Sequence, residues 1–482
     1  MITFLAGIAV LIVGGFFYGK FCEKLIRPDD NRPTPAESMA DGVDYVPLPK
    51  WKNCLIQLLN IAGTGPILGP IQGILFGPIA FVTIPIGCIL GGAIHDYMTG
   101  MISVRNKGNQ MPELVRKYMG KGLSKAYTIF IGLMLLLVAA VFVYTPGDLL
   151  ADRITGSSGA DNVWLWVIYG LIFLYYLIAT IFPIDKIIGK VYPLFGAILL
   201  ISAVGVALGI FIKGYPLTEI WNSGSLFNSH PLGQRFFPVF FVTVSCGIVS
   251  GFHTTQTTLI TRTVTKEKHG RAVFYNMMIL EGVIAMIWAA AAMGVYNMGM
   301  ADATTQAVQV LNIICGDFLG PFGGTVAMLG VVVLAITSGD TALRSARLAI
   351  GETLHIPQQK AFQRILLSLV ISAAVMGLLI FSKSNANGFN LLWRYFGFCN
   401  QLTAFLAFTL FTIWLKRHHQ TYLPTLIPGA FYLAVLVDYI MTATIGFGLD
   451  ALAGDIAGIA AVLVYVPFMV LHRFQGQETT LA

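Results

Sequence analysis

The sequence predicts an all-α polytopic membrane protein of about 13 transmembrane helices, arranged as a 5+5 inverted repeat with one extra N-terminal and two extra C-terminal helices. Three observations predict it. Of 482 residues, 56% are hydrophobic and only 11% charged, against about 25% charged in a soluble protein. Basic residues fall almost wholly in alternate loops. Two apolar segments are interrupted where a membrane helix should run on.

Spanning the hydrocarbon core takes about 20 apolar residues, and the chain supplies such segments near 2–20, 53–77, 79–104, 125–146, 163–182, 189–212, 236–256, 273–296, 322–340, 362–382, 391–415, 423–445 and 453–471. The first lacks a basic region ahead of it and a small-x-small cleavage site, so it reads as an uncleaved helix rather than a signal peptide. Between the segments, 25 of the 30 Lys and Arg residues lie in the alternate loops 20–52, 105–125, 186–190, 262–271, 344–364 and 416–417, or at Arg473. Arg153, Lys213, Arg235, Lys383 and Arg394 lie on the other side. The positive-inside rule puts the first group in the cytoplasm, with the N-terminus outside and the C-terminus in. The net charge of +7 fits loops at an anionic leaflet; no basic surface interleaved with aromatics points to nucleic acid.

Helix 1 (1–26) leads through a Pro- and Gly-bearing cytoplasmic loop (27–52), read as an ordered connection, into a first five-helix repeat (53–213). A second five-helix repeat follows at 233–417, and two further helices at 421–473. Helix 2 is broken at NIAGTGPILGP (Asn60–Pro70), and helix 7 at VSCGIVSGFHTT (Val244–Thr255). Each break comes about ten residues into its helix, one entered from the cytoplasm and the other from outside. A five-helix unit repeated in tandem must invert, which is the construction of secondary transporters. Main-chain groups freed inside a bilayer cost several kcal/mol unless protein, water or a ligand satisfies them, so matched breaks mark a binding region.

Asp96, late in helix 3, and Glu281, early in helix 8, lie at similar depth, roughly 12 Å in at 1.5 Å per residue. A charge there costs about 2.5–3.5 kcal/mol and must face the bundle interior or water. Each is a structural acid or a proton or cation site. His95 titrates near neutral pH when unperturbed, which suits a proton relay, although neighbouring helix positions diverge by about 100° and should not both face one ligand. His253 closes the second break, as a satisfied interior histidine or as a substrate contact. Asp438 in helix 12 reads as structural. Thr337 and Ser338, in AITSGD of helix 9, offer hydroxyls that carbonyls near Ala62 and Gly63 would complete into a candidate sodium site, since hard cations take oxygen ligands; such pairs also serve packing. Cys22, Cys54, Cys88, Cys246, Cys315 and Cys399 are scattered without CxxC spacing and read as small hydrophobes, not as disulfide or metal ligands.

RPTPAESMADGVDYVP, IAGTGPILGPI, GGAIHD with SVRNKG, FFPVFFVTVSCGIVSGFHTTQTT, the LEG around Glu281, TSGDTALRSAR and LLWRYFGFCNQLTAFLAFTLFTIWL occur in this order. Together they resemble the carbon-starvation protein A family over most of residues 1–417. The resemblance implies a LeuT-like fold of the amino acid–polyamine–organocation superfamily and uptake of peptides or pyruvate across the inner membrane under starvation. It implies site residues Gly63, Thr64, Gly65, Pro66, His95, Asp96, Gly247, Ser250, Gly251, His253 and Glu281. Longer members carry a further hydrophobic section with a Pro-Arg-Asp-Tyr-Leu signature before the second break. Here that region is GYPLTEIWNSGSLFNSHPLGQR, which makes this chain a short variant.

The expected function is alternating-access transport of a small carboxylate-bearing nutrient (amino acid, short peptide or pyruvate), with helices 2, 3, 7 and 8 rocking against helices 4, 5, 9 and 10. Half-helix N-termini would hold the carboxylate. The coupling ion is the proton, with sodium at Ala62, Gly63, Thr337 and Ser338 as the alternative. Beyond substrate and bilayer no nucleic acid, obligate protein partner or cofactor is expected. A channel or nutrient sensor is the alternative class; a channel needs a continuous polar lining, whereas the polar intramembrane residues here gather at the breaks. HExxH, GxSxG and paired catalytic motifs are absent from the sequence, so no catalytic residue is assigned.

Overall fold

A computed structural model describes residues 1–474 apart from 43, 182, 183, 223, 225, 228, 229, 355, 357–360 and 386; for 180, 181, 184–193, 319, 321, 322, 352, 353 and 361 it describes the backbone alone. Lys360 and the side chains of Lys186 and Lys190, three members of the expected basic loops, lie outside the described residues. Helices dominate, and the thirteen expected segments are all helical.

They are α1 (Ile2–Ile26), α2a (Lys50–Ala62) and α2b (Gly65–Gly73), α3 (Ala80–Arg105), α4 (Lys121–Thr155), α5 (Val163–Ile181) and α6 (Ile184–Ile212). Then come α7a (Phe236–Thr243) and α7b (Phe252–Ile260), α8 (Asn276–Asn297) and α9 (Ala307–Thr353). The last four are α10 (Ala361–Ser384), α11 (Gly388–Arg417), α12 (Leu423–Thr442) and α13 (Ala451–Leu471). Among the described residues, ten helices are long and apolar enough to cross a membrane alone, and the bent α2a–α2b pair makes an eleventh. The apolar part of α5 is shorter, and α7 is divided by its break.

Two ends differ from expectation. α4 runs on through Pro146 to Thr155 rather than ending at 146. α9 begins at Ala307, fifteen residues early, because a bend at Gly320 (φ 66°) joins a short outer helix to the spanning one. α1 stops at Arg27, which is left-handed (φ 52°).

Packing sorts the helices into two bodies. α7b lies on α2a and α3, and α8 on α2b, whereas α4 packs along α9 and α10, with α10 also on α5. α6 bridges them, touching α9, α8 and α2a. α12 and α13 pair at the edge, where α13 leaves Leu452, Ile456, Ile459, Leu463 and Val464 exposed, as lipid-facing side chains are.

The end bearing most basic residues, here called the basic end, is tied by a buried acid. Glu267 accepts Arg105 Nε at 3.1 Å and Nη2 at 3.0 Å, Arg32 Nη1 at 3.4 Å and the Asp29 N–H at 2.9 Å. The connecting loop then pairs Leu48 N–H with the Thr263 carbonyl at 3.0 Å, and Asn53 Nδ2 reaches both the Leu48 and Thr263 carbonyls at 3.1 Å. The loop is thus part of the packed structure, bracing α1, α3, α7b and α8. At the far end, Lys383 of α10 meets Asp148 of α4 at 2.6 Å, and Tyr169 of α5 donates to the same carboxylate at 2.7 Å.

Candidate substrate and coupling site

The first break is made by a glycine that no other residue replaces without strain. Gly63 has φ +32°, on the left-handed side, where a Cβ is penalised, and a Cβ there would lie 2.5 Å from the Phe142 ring. Pro66, in the first turn of α2b, needs no N–H partner. The halves meet at 46°. Ser338 of α9 donates to the Leu59 carbonyl, released at the end of α2a, at 2.9 Å. Asn60 Oδ1 and the Thr64 hydroxyl are buried and have no partner among the described residues.

The second break is longer: one turn at Ser245–Ile248, then an extended Val249 (φ −146°, ψ 129°) before α7b. Gly65 of the first break faces it so closely that a Cβ would sit 2.3 Å from the Cys246 Cβ, and Gly247 packs on Ala285 and Pro70. Here the freed groups have protein partners. Asn400 of α11 accepts the Phe252 N–H at 2.7 Å and the Ser250 hydroxyl at 3.1 Å. Its Nδ2 donates to the Ser245 hydroxyl at 3.2 Å. Gln401 donates to the Phe241 and Val249 carbonyls at 3.0 and 3.3 Å. Gly251 lets α11 approach, since a Cβ would meet the Asn400 carbonyl oxygen at 2.3 Å.

α7b carries His253 into the interior between the two acids. His253 Nδ1 lies 2.9 Å from Asp96 Oδ2, and Nε2 lies 3.6 Å from Glu281 Oε1. All three side chains are fully buried. The Ile61 carbonyl, next to the first break, faces the same ring. His95 Nδ1 meets Asp96 Oδ1 at 2.9 Å, so the adjacent pair do meet despite diverging positions, and the His95 ring packs on Phe408 and Phe411. Each acid follows a wide π turn, Cys88–Ala93 in α3 and Arg271–Tyr275 before α8, a local unwinding common at functional positions. The result is a buried carboxylate–imidazole–carboxylate chain across three helices. An imidazole in such a chain takes a proton at one nitrogen and releases one from the other.

Of the four oxygens of the candidate sodium site, the hydroxyls diverge. Ser338 points to Leu59, whereas Thr337 bonds back to Leu334 of its own helix at 2.9 Å. Among the described residues no group of three or more His, Cys, Asp or Glu is placed to hold a metal ion. Asp438 is buried, accepts Thr442 Oγ1 at 3.2 Å and lies 3.6 Å from Arg235 Nη1. All six cysteines are free.

The two ends are unequal. Towards the far end a cavity of about 500 Å³ descends to Val242, Thr243 and Trp393, beside both breaks. On the basic-end side of the first break, a cavity of about 10 Å³ lies between Asn60, Thr341 and Arg344. Sequence reasoning missed Asn400 and Gln401: both stand in a quoted motif, yet a lone amide pair in an apolar helix gives no sign that it is aimed at a break 148 to 150 residues away in the chain.

A fold of broken membrane helices with a cavity of about 500 Å³ reaching towards the breaks is that of a multi-pass membrane transporter. The chain belongs to the carbon starvation protein CstA family, whose model matches residues 1–163, 153–310 and 293–438. An uncharacterized membrane protein of Haemophilus influenzae is 39% identical over 358 residues, covering 65% of this chain and 96% of that one. The Escherichia coli protein named peptide transporter CstA is 25% identical over 589 aligned positions, 94% of this chain and 82% of its own length. For the Mycobacterium tuberculosis peptide transporter CstA the identity is 26% over 336 residues, 57% of this chain and 44% of that protein. A Na+-coupled sialic acid symporter solved in a substrate-bound outward-open state superposes with TM-score 0.53 at 14% identity, over 99% of this chain and 98% of that one. An Eremococcus coleocola manganese transporter gives TM-score 0.55 at 12% identity, over 90% and 98%. These likenesses give the fold, which is LeuT-like, and the class is transporter rather than enzyme.

Proposed function

We propose that this protein is a proton-coupled importer of a small carboxylate-bearing nutrient (a short peptide, an amino acid or pyruvate) at the inner membrane, serving carbon starvation. The observation that carries the reading is the buried chain Asp96–His253–Glu281, which joins a titratable relay to the second break. The substrate carboxylate is assigned to the start of α2b, at Gly63, Thr64, Gly65 and Pro66, where a half-helix dipole is positive. Gly247, Ser250, Gly251 and His253 form the facing wall. His95, Asp96 and Glu281 carry the coupling proton: as His253 moves with α7b, its distances to the two acids change, and with them the proton's place. The 25-to-5 charge split supports an outside N-terminus and a cytoplasmic C-terminus, so the large cavity opens outward. The family names of the relatives support a peptide-sized cargo.

The test is uptake of pyruvate and of dialanine into proteoliposomes in sodium-free buffer under an imposed pH gradient. Transport driven by the gradient is expected. The isosteric Glu281→Gln should fold normally and flatten the pH dependence of uptake; an unchanged pH profile would return Glu281 to a structural role.

A further inference from the structure

We infer that the outward cavity contains an entry subsite for a carboxylate, formed by Arg394, Trp393 and Gln72 and separate from the breaks beneath it. This rests on the carboxylate-bearing substrate proposed above and extends it to how that substrate arrives.

The cavity wall carries His230, Arg235 and Arg394 but no Asp or Glu among its lining residues. Arg235 is already neutralised, by Asp455 at 2.6 Å and Asp438 at 3.6 Å. Arg394 differs: among the described residues its polar partner is the Thr444 hydroxyl at 3.4 Å, which brings no charge. One residue before it in α11, Trp393 is 4% exposed, and its buried indole Nε1 has no acceptor among the described residues. Across the cavity, Gln72 of α2b presents a buried Nε2 that likewise has none. An indole N–H can only donate, and a buried donor left unsatisfied is costly. Two such donors and a guanidinium without a charged partner among the described residues, all on side chains that line one cavity, specify an anion with several acceptor oxygens, and a guanidinium fork matches a carboxylate in particular.

The position gives the subsite its purpose. A Cβ built on Gly69 of α2b would lie 2.9 Å from the Thr243 carbonyl and 3.7 Å from the Trp393 ring. Trp393 therefore sits where both broken helices converge, and a carboxylate held there is one step above the first break. α2b, the end of α7a and α11 meet at this point, so its occupation reports to the elements that the proposed function moves.

The experiment uses the full chain in proteoliposomes, measuring initial uptake of pyruvate and of dialanine for the wild type, Arg394→Gln, Trp393→Phe and Arg394→Lys. Loss of one charge-assisted hydrogen bond corresponds to roughly a tenfold change, so Arg394→Gln and Trp393→Phe should raise KM about five- to tenfold with little change in maximal rate, and Arg394→Lys should recover part of the loss. Arg394 is exposed, so its variants test the subsite even where Trp393→Phe lowers the yield of folded protein. KM within about twofold of wild type for both Arg394 variants, in a protein that does transport either probe, overturns the subsite and leaves the proposed function standing. A wild type that transports neither carboxylate but does carry an uncharged solute overturns the proposed function, and the subsite with it.

Discussion

In α2 the chain breaks at a single glycine; the main-chain carbonyl of Leu59 freed there accepts Ser338, while the side-chain Oδ1 of Asn60 and the Thr64 hydroxyl are buried without partners among the described residues. In α7 it breaks over two residue stretches, yet Asn400 and Gln401 take up the Phe252 N–H, the Ser250 and Ser245 hydroxyls and the Phe241 and Val249 carbonyls. Both breaks face the same bilayer problem, that exposed main chain must be satisfied. One is solved inside the protein, by clamping α7 to α11. The other keeps two buried side-chain groups, Asn60 Oδ1 and the Thr64 hydroxyl, without partners among the described residues. Broken helices that match in sequence are therefore unequal in chemistry: the second is held to α11 by protein partners, and, under the proposed function, the first is the better candidate for substrate.

The sharpest way to break that comparison is to put a methyl group into each. At Gly251 the new Cβ would stand 1.9 Å from Thr403 Oγ1, 2.3 Å from the Asn400 carbonyl and 2.6 Å from the Ala404 nitrogen. Two of these are backbone atoms, which cannot turn away, so Gly251→Ala should cost about 3 kcal/mol or more and yield little monodisperse protein. Gly63→Ala meets only the far end of the Phe142 ring, at 2.5 Å, together with a left-handed penalty of about 1–2 kcal/mol. Its melting temperature should fall less, while its transport falls more. Equal loss of folded protein from both variants would erase the distinction.

A gentler pair removes side chains instead. Asn400→Ala strands the Phe252 N–H and the Ser250 hydroxyl in the interior, at about 1–3 kcal/mol for the unsatisfied group, and should lower the melting temperature in detergent by several degrees. Asn60→Ala removes an oxygen that no described group uses, so its stability cost should be smaller than that of Asn400→Ala, and the effect should appear in uptake KM. A destabilising Asn60→Ala beside a silent Asn400→Ala would reverse the assignment of which break is clamped.

How much of this could be read from sequence follows the kind of signal each residue gives. Gly63, Pro66, Gly247 and Gly251 stand out because helix breakers inside apolar runs have few explanations in a bilayer. Asp96 and Glu281 stand out because a charge there is expensive, and His253 links them only once α7b is folded against α3 and α8. Asn400 and Gln401 gave no comparable signal: an amide in a membrane helix costs much less than a charge, and its partner lies more than a hundred residues away in the chain. Asp148 was hidden for a different reason. The expected segment ended at residue 146, short of this acid, whereas the helix continues to Thr155 and turns it inward to Lys383 and Tyr169. Periodicity and composition gave the helices; the pairings between distant helices needed the packed structure.

The smallest expected effect belongs to Ser338, and it tests what the first break lacks. Its hydroxyl is the link from α9 to a carbonyl freed at that break, at 2.9 Å from Leu59, and one neutral hydrogen bond contributes about 0.5–1.5 kcal/mol. Ser338→Ala should therefore soften the protein only slightly. Its value lies in the ion. A sodium ion beside Ala62 and Gly63 would need about five or six oxygens converging on one point. Here Thr337 turns back to its own helix, so one of the two expected hydroxyls faces elsewhere. If protons alone are coupled, uptake by Ser338→Ala in sodium-free buffer should stay within about twofold of wild type, and added sodium should change neither protein. If sodium completes the first break, wild-type uptake should rise with sodium and Ser338→Ala should lose that response. The second result would make the first break an ion site as well as a substrate site, and would move the coupling chemistry from α7 to α2.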